Sequence, residues 1–457
     1  MSEKLCSVGL DVGTTTTQLV VSELEIQNQA GSFSVPQMQI TQRNIRYQSP
    51  VYFTPLISQE LVDGQAIRQI VLQEYEKAGI RREDVDTGAV IITGETSRKE
   101  NAASVVGALA ELAGDFVVAT AGPDLESVLA AKGAGAEAYS ERVDMPVLHM
   151  DIGGGTSNLA LLREGKIIAT GCLNVGGRLV KFDENRRIYY VSPVAEKLCK
   201  LKVGDVITKN QAEELARTLV KALEMAAGRQ EPGALLELLT THGTAMTPPG
   251  EPVAVSFSGG VADCIREELP WDSFGDIGPI LGQEIAKSRL CKGDCWLGEQ
   301  TIRATVIGAG CHSAQLSGST VFHKGVKFPL KNRPVVQLSA QEQALPEQEL
   351  AARISEKLAV QDTDGVLSLP GYSAPDYPSV KTLGRAIAAG FGKKPVMVAL
   401  EQDMAKALGQ AIALQLPAGQ SCLCIDRVQL RTGSYLDVAM PVGPCIPVVV
   451  KTLIFEK

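Results

Sequence analysis

No apolar run in this chain is long enough to cross a membrane. The most apolar late stretch, Val438 to Val450, is interrupted by Pro441, Pro444 and Pro447, and so short and broken a segment cannot span a bilayer. The N-terminal apolar run is cut by Asp11 and is too short for a secretory signal. Positive charge is not in excess either. Lys and Arg number 44 against 52 Asp and Glu, the net charge is −8, and no basic stripe is visible; nucleic acid is therefore not an expected partner. Histidine is scarce: His149, His242, His312 and His323 are scattered and form no ligand motif. His149 lies in an apolar run and reads as a packed core residue. Ten cysteines in 457 residues are too few for a disulfide scaffold. Cys6, Cys172, Cys311, Cys422 and Cys445 lie in apolar surroundings and read as buried reduced thiols. Cys291 and Cys295 are spaced x3, with Cys264 upstream and no matching second pair, so a zinc site is not expected there. No Gly-x4-Gly-Lys-Ser/Thr occurs, which excludes a P-loop. What remains is a cytoplasmic chain, 45% hydrophobic, with material for two or three domains.

One short pattern occurs twice. Asp11-Val12-Gly13-Thr14-Thr15-Thr16-Thr17 follows the apolar run Cys6 to Leu10 and precedes Gln18 to Val21. Asp151-Ile152-Gly153-Gly154-Gly155-Thr156-Ser157 follows Val147 to Met150 and precedes Leu159 to Leu162. Each reads as strand, tight turn, strand. Glycines let backbone N–H groups approach phosphate oxygens that a Cβ would keep away, and hydroxyls add donors. A carboxylate is repelled by phosphate, so its natural partner is a hydrated Mg²⁺. Two such turns, one in each half of the chain, can grip a nucleotide from both sides.

The rest of the chain alternates strand and helix, an α/β pattern. Strands are expected from about 5 to 45, with Ile40 to Ile45 alternating before Tyr47, then an amphipathic helix over Leu61 to Ala78 stopped by Gly79. A buried strand over Ala89 to Thr93 ends in Gly94-Glu95-Thr96-Ser97, followed by a helix to about Ala113, a strand over Phe116 to Ala119, and a helix that Asp124 can cap. Pro146 opens a new unit. Its first strands, Val147 to Met150, Leu159 to Leu162 and Lys166 to Gly171, form a meander with Glu164-Gly165 at the second turn. Helix over Gln211 to Ala227, an apolar stretch over Leu235 to Leu239, and a strand over Val253 to Ser256 ending in Phe257-Ser258-Gly259-Gly260 follow. Gln300 to Gly318 reads as a helix of small residues (Ala304, Gly308, Ala309, Gly310, Ala314), suited to close approach. Ser339 to Glu349 reads as a linker running into a helix and Asp362 to Pro378 as loop. Then come helix Val380 to Ala389, strand Pro395 to Leu400, helix Ala405 to Leu414, and strands over Cys422 to Leu430 and Tyr435 to Phe455. Three units are expected: 1–143, 144–334 and a small α/β unit over 335–457.

Five features stand in a fixed order: Asp-x-Gly-Thr-Thr at 11, a strand ending in Gly-Glu-Thr at 94, Asp-x-Gly-Gly-Gly-Thr at 151, Ser-Gly-Gly-Val at 258 and the small-residue helix at 304. Over roughly residues 5–320 this resembles the actin-like ATPase superfamily, and the resemblance implies two duplicated α/β domains around a nucleotide cleft. Carried over residue by residue, it implies that Gly13, Thr14, Thr15 and Thr16 hold the β- and γ-phosphates from one side and Gly153, Gly154, Gly155 and Thr156 from the other. Ser258, Gly259 and Gly260 would form the adenosine loop. Asp11 and Asp151 would orient the waters on Mg²⁺, and Glu95 would position the attacking water; a Glu at a strand end can equally cap the next helix. Phosphoryl transfer needs mostly positioning and charge neutralisation, so this kit suffices.

Fold does not determine function, but the finer text narrows it. Asp11 to Gln18, Ile92 to Ala102, His149 to Asn158, Phe257 to Asp263 and the closing Pro447 to Phe455 together resemble the reactivating factors of ethanolamine ammonia-lyase from bacterial ethanolamine utilisation, over nearly the whole chain. The resemblance implies a weak ATPase that binds the lyase and uses ATP and Mg²⁺ to release damaged cobalamin, so that intact adenosylcobalamin enters. No Asp-x-His-x2-Gly cobalamin motif is present, so the protein need not touch the cobalamin. A homodimer and an association with the ethanolamine-utilisation microcompartment are open expectations. Alternatives are a small-molecule kinase of the same superfamily, which needs an acceptor pocket with an Asp base, a reactivase of another cobalamin enzyme, and an actin-like filament.

Overall fold

A computed structural model describes residues 3–13, 16–28, 38–58, 61–93, 101, 105, 109, 112, 123–241, 246–247, 250–293, 295–312, 314–317, 320–361, 363–428, 430, 434–441 and 445–452. Two mixed sheets repeat one topology. In the first, β1 (Glu3–Val12) pairs antiparallel with β2 (Thr16–Asn28), β2 with β3 (Met38–Gln48) and the short β4 (Tyr52–Phe53), and β1 pairs parallel with β5 (Thr87–Ile92). In the second, β6 (Val147–Ile152) pairs antiparallel with β7 (Ser157–Arg163), β7 with β8 (Lys166–Leu173), and a small β9 (Val180–Phe182)–β10 (Ile188–Val191) ribbon follows. There β6 pairs parallel with β11 (Ala254–Ser258), which pairs with β12 (Cys295–Leu297). The expected meander is present, and its second turn has Glu164 and Gly165 both at positive φ, 49° and 73°, the two-residue turn that matches strand twist.

Alternation along these strands assigns their two faces. Val8, Leu10 and Val12 pack with Ile67, Val71 and Tyr75 of the Gly64–Ala78 helix. Leu148, Met150 and Ile152 pack with the Lys209–Ala226 and Gly278–Lys287 helices. The opposite faces are covered by two helices that lie back to back. The Pro123–Gly133 helix packs on the second sheet, against β6, β7 and β8, and the Ala304–His312 helix packs on the first, against β1, β2 and β5. A Cβ on Gly133 would overlap the Ala304 carbonyl oxygen, and one on Gly308 would overlap that of Leu129. Glycine is thus required where these two backbones meet. The small-residue text does support close approach, but the helix is shorter than expected because β13 (Ala314–Leu316) begins directly after it.

A third sheet of eight strands has the order β13-β20-β19-β15-β16-β17-β18-β14, with β14 (Phe322–Lys324), β15 (Leu330–Gln337), β16 (Val366–Leu369), β17 (Val396–Leu400), β18 (Cys422–Ile425), β19 (Ser434–Val438) and β20 (Pro447–Thr452). Its pairing begins at Ala314, so it runs across the expected boundary at 334/335. The four central strands are parallel. Two expectations are corrected here. Residues 362–378 are not all loop: Val366–Leu369 is a fully buried strand between β15 and β17, too short to register against its Gly, Ser and Pro surroundings. Ser339 to Glu349 does run into a helix, Glu347–Ala359, as expected, but it is not a bare linker, since Ser339 caps the short Ala340–Gln343 helix through a capping box. Ala439 and Val449 of this sheet pack with Ala89, Ile91, Leu129 and Ala309, which ties it to the paired helices.

Smaller corrections concern helix ends. The first helix starts at Gly64, because the Asp63 carboxylate accepts from the Gln65 and Ala66 N–H groups; it stops at Gly79 as expected, in left-handed conformation. Asp124 lies inside the Pro123–Gly133 helix and accepts the Thr170 hydroxyl at 2.6 Å, so it is not the cap. The expected helix to Ala113 and strand Phe116 to Ala119 lie largely outside the described residues. Among the described residues no helix is long and apolar enough to cross a membrane.

Candidate functional site

Both Asp-containing turns are closed by the same bond. The Gly13 N–H donates to the Thr16 carbonyl at 2.8 Å, and the Gly153 N–H donates to the Thr156 carbonyl at 2.9 Å. Register places Asp11 opposite Gln18 on β2 and Asp151 opposite Asn158 on β7, so each carboxylate shares a face with a buried amide. The duplication read in the sequence is therefore also a duplication of geometry. Thr14, Thr15 and Glu95 lie outside the described residues; Gly13, Thr16, Gly153, Gly154, Gly155 and Thr156 stand where the turns require.

Hydroxyls hold the carboxylates. Thr93, just past β5, donates to Asp11 Oδ1 at 3.0 Å, and its N–H bonds the Val12 carbonyl. Ser258 donates to Asp151 Oδ1 at 2.5 Å, and Thr305 reaches Asp151 Oδ2 at 3.4 Å. Burial pushes Asp11 up to about 7, against the pull of the Thr93 hydrogen bond, and the Asp151 charge raises it further. Burial likewise pushes Asp151 up to about 6, against the Ser258 and Thr305 hydrogen bonds. Two enclosed carboxylates, both raised by burial and one raised further by the other's charge, form a site short of positive charge. Beside them the amide oxygens Gln18 Oε1 and Asn158 Oδ1 are buried without a hydrogen-bond partner among the described residues, a costly state unless a donor arrives. This donor set fits a hydrated divalent cation, whose waters would donate to both carboxylates and both amides. Among the described residues no group of three or more His, Cys, Asp or Glu is arranged to hold a metal; a cation at the Asp pair would complete its shell with water and phosphate oxygens.

The glycines differ in what they are for. A Cβ on Gly155 would meet nothing within 4 Å, and one on Gly153 only the Thr156 carbonyl at 3.7 Å. Among the described residues nothing demands glycine at 155, so the open space there is room for a ligand. Gly259 is different: its φ is 85° and a Cβ would overlap the Ile152 carbonyl. It lets β11 close onto the second turn, whatever it also does for a ligand. Gly260 opens the Gly260–Arg266 helix. Ser258 is fully buried and its hydroxyl is spent on Asp151.

Several residues escaped the sequence reading. Arg178 lies against the second turn: its side-chain carbons lie 3.3–3.5 Å from where a Gly154 Cβ would be, its backbone N–H donates to the Gly154 carbonyl, and its Nε donates to the buried Asp276 at 3.0 Å. The signal available was Gly176-Gly177-Arg178, which runs beside the turn and bonds it at Gly153 and Gly154. Thr54 donates to the Gly13 carbonyl at 2.8 Å. His149 is buried, as expected, but both ring nitrogens are hydrogen bonded, Nδ1 with Ser256 Oγ at 2.8 Å and Nε2 with Ser258 Oγ at 2.9 Å. Burial drives its pKa down to about 3, so the ring is neutral. All ten cysteines are free thiols. Cys291 and Cys295 are half-buried, with sulfurs 3.3 Å apart.

The family described as ethanolamine utilisation protein EutA matches residues 3–456. The chain is 39% identical to the ethanolamine ammonia-lyase reactivase EutA of Salmonella typhimurium over 471 aligned residues, covering 100% of both chains. It is 39% identical to the protein of the same name from Escherichia coli over 479 aligned residues, again covering 100% of both. Among solved structures, the Aquifex aeolicus member of the Ppx/GppA family aligns with 67% of this chain and 97% of its own, at 13% identity and a TM-score of 0.41.

Proposed function

The chain belongs to the ethanolamine utilisation protein EutA family, and on that premise we propose that it is an ATP-dependent reactivase of ethanolamine ammonia-lyase. It binds the lyase, helps release damaged cobalamin, and leaves the site free for intact adenosylcobalamin. The carrying observation is the pair of enclosed carboxylates, Asp11 and Asp151, each ending a strand before a Gly-to-Thr closed turn, one on each sheet. Mg²⁺, when bound, supplies the positive charge that the two carboxylates and the phosphate oxygens lack.

The protein's residues then do the following. Gly153, Gly154 and Gly155 offer backbone N–H groups and open space to the phosphates; Thr14, Thr15, Thr16 and Thr156 offer hydroxyls; Gly259 and Gly260 line the nucleoside. Glu95 positions the attacking water. Because the ligands come from both sheets, nucleotide favours the arrangement in which the sheets are drawn together. It drives motion only to the extent that it prefers that state. The protein acts in the cytoplasm, beside the ethanolamine-utilisation microcompartment.

The test is rescue of ethanolamine ammonia-lyase that has been inactivated by its substrate or loaded with cyanocobalamin. Recovery of deamination with this protein, ATP, Mg²⁺ and free adenosylcobalamin, and not without ATP, is the expected result. ATPase activity without rescue would overturn the reactivase reading and leave the nucleotide site standing.

A further inference from the structure

His149 is more than a packed residue. β6 and β11 are parallel and in register, with His149 beside Ser256 and Asp151 beside Ser258. Side chains two apart share a face, so all four lie on one face, the one the Pro123–Gly133 helix covers, and Thr305 of the Ala304–His312 helix reaches Asp151 at its end. Their hydrogen bonds form one chain: Ser256 to His149, His149 to Ser258, Ser258 to Asp151.

Proton counting orients that chain. An ionised Asp151 only accepts, so the single Ser258 proton goes to Asp151 Oδ1. The Ser258 oxygen then takes its hydrogen bond from His149, which puts the ring hydrogen on Nε2. The neutral ring has Nδ1 bare, and Ser256 donates to it. Without the His149 N–H, Ser258 would be free to rotate, and Asp151 Oδ1 would lose a fixed partner. Oδ2, which among the described residues has the longer Thr305 contact alone, is the oxygen left over for a cation.

The first turn lacks this device. Two residues before Asp11 stands Gly9, where a Cβ would overlap the Val306 carbonyl. The space that His149 fills in one half is taken by helix backbone in the other. Among the described side chains, Thr93 is the one that holds Asp11. The pseudo-symmetry of the site is broken at this position, and an apolar side chain would have filled the space at lower polar cost.

We propose that His149 is a positioning residue, which locks the Ser258 hydroxyl onto Asp151 Oδ1 so that Asp151 presents Oδ2 to the cation of a bound Mg²⁺–nucleotide. This deepens the function proposed above and rests on it. The test uses the full-length protein, a fluorescent ATP analogue, and Mg²⁺ titration at fixed analogue concentration, with thermal melting alongside. His149→Phe and Ser258→Ala should each raise the Mg²⁺ needed for half-maximal binding by about tenfold or more, as outer-sphere losses commonly do. His149→Gln, which can still donate from its amide nitrogen, should stay within about twofold of wild type. The double variant His149→Phe/Ser258→Ala should be no worse than the worse single variant, since both act through one bond. If the variants melt lower but titrate as wild type does, His149 is a structural residue and the inference falls. Should His149→Phe fail to fold, Ser258→Ala and His149→Gln decide the matter by the same criteria. Mg²⁺-dependent binding absent from wild type would overturn the nucleotide reading together with this inference; wild-type binding with unmoved variants overturns this inference only.

Discussion

At the scale of the residue, the site is a store of unfavourable electrostatics. Asp11 and Asp151 hold protons more tightly in the fold than in the unfolded chain. Between their unfolded values near 4 and about 6 to 7, the native state therefore binds more protons, and stability falls as pH rises. Each carboxylate contributes at most about 1.4 kcal/mol per pH unit in its window. The metal-free protein should melt progressively lower from pH 4 to 7, and Asp151→Asn should flatten that slope while abolishing Mg²⁺-dependent nucleotide binding; calorimetry across pH checks both. Gly155→Val separates ligand from fold. With open space at its Cβ, it should melt within about 0.5 kcal/mol of wild type and bind the fluorescent nucleotide at least about tenfold more weakly. The Asp, Gly and Thr of the turns were legible because their chemistry is local. Arg178 and Thr93 were not, because each meets its turn from a separate segment. His149 was legible as a buried residue, but its hydrogen bonds were not, since no spacing rule shows that Ser256 and Ser258 flank it.

At the scale of the element, the paired helices carry the fold's tightest constraint. The Pro123–Gly133 and Ala304–His312 helices touch backbone to backbone, each covering one sheet. Gly308→Ala would force its methyl into the Leu129 carbonyl, and overpacking of that kind costs about 3 kcal/mol or more when neither backbone can yield. Urea melts should show it, whereas Gly79→Ala, with no atom near its Cβ but φ of 67°, should cost only about 1 kcal/mol. Strongly periodic elements, the meander above all, were readable from alternation. The buried β16 was not: four residues in a Gly- and Pro-rich stretch carry too little pattern, and only its neighbours β15 and β17 make it a strand.

At the scale of the whole molecule, the site has no single owner. Its carboxylates, hydroxyls and glycines come from two sheets, so either half alone is incomplete. Mg²⁺–ATP at 100 times its dissociation constant should stabilise the protein by about 2.7 kcal/mol, and Asp11→Asn alone should cancel the shift in melting temperature. The shared cluster of Ala89, Ile91, Leu129, Ala309, Ala439 and Val449 joins the third sheet to these helices. Nucleotide should therefore slow amide hydrogen exchange in β19 and β20 as well as around the turns.

The sequence by itself determined the two turns, the α/β alternation and, through its finer text, the family to which the chain belongs. These rest on contiguous residues whose chemistry is set by covalent neighbours. The tertiary structure decided which partners those residues have. It set Gln18 and Asn158 beside the carboxylates, laid Arg178 against the second turn, placed His149 behind Asp151 in one half and Gly9 behind Asp11 in the other, and drew strands from Ala314 onward into the third sheet. Such contacts join residues far apart in the chain, and they exist only once burial and strand register have brought the segments together.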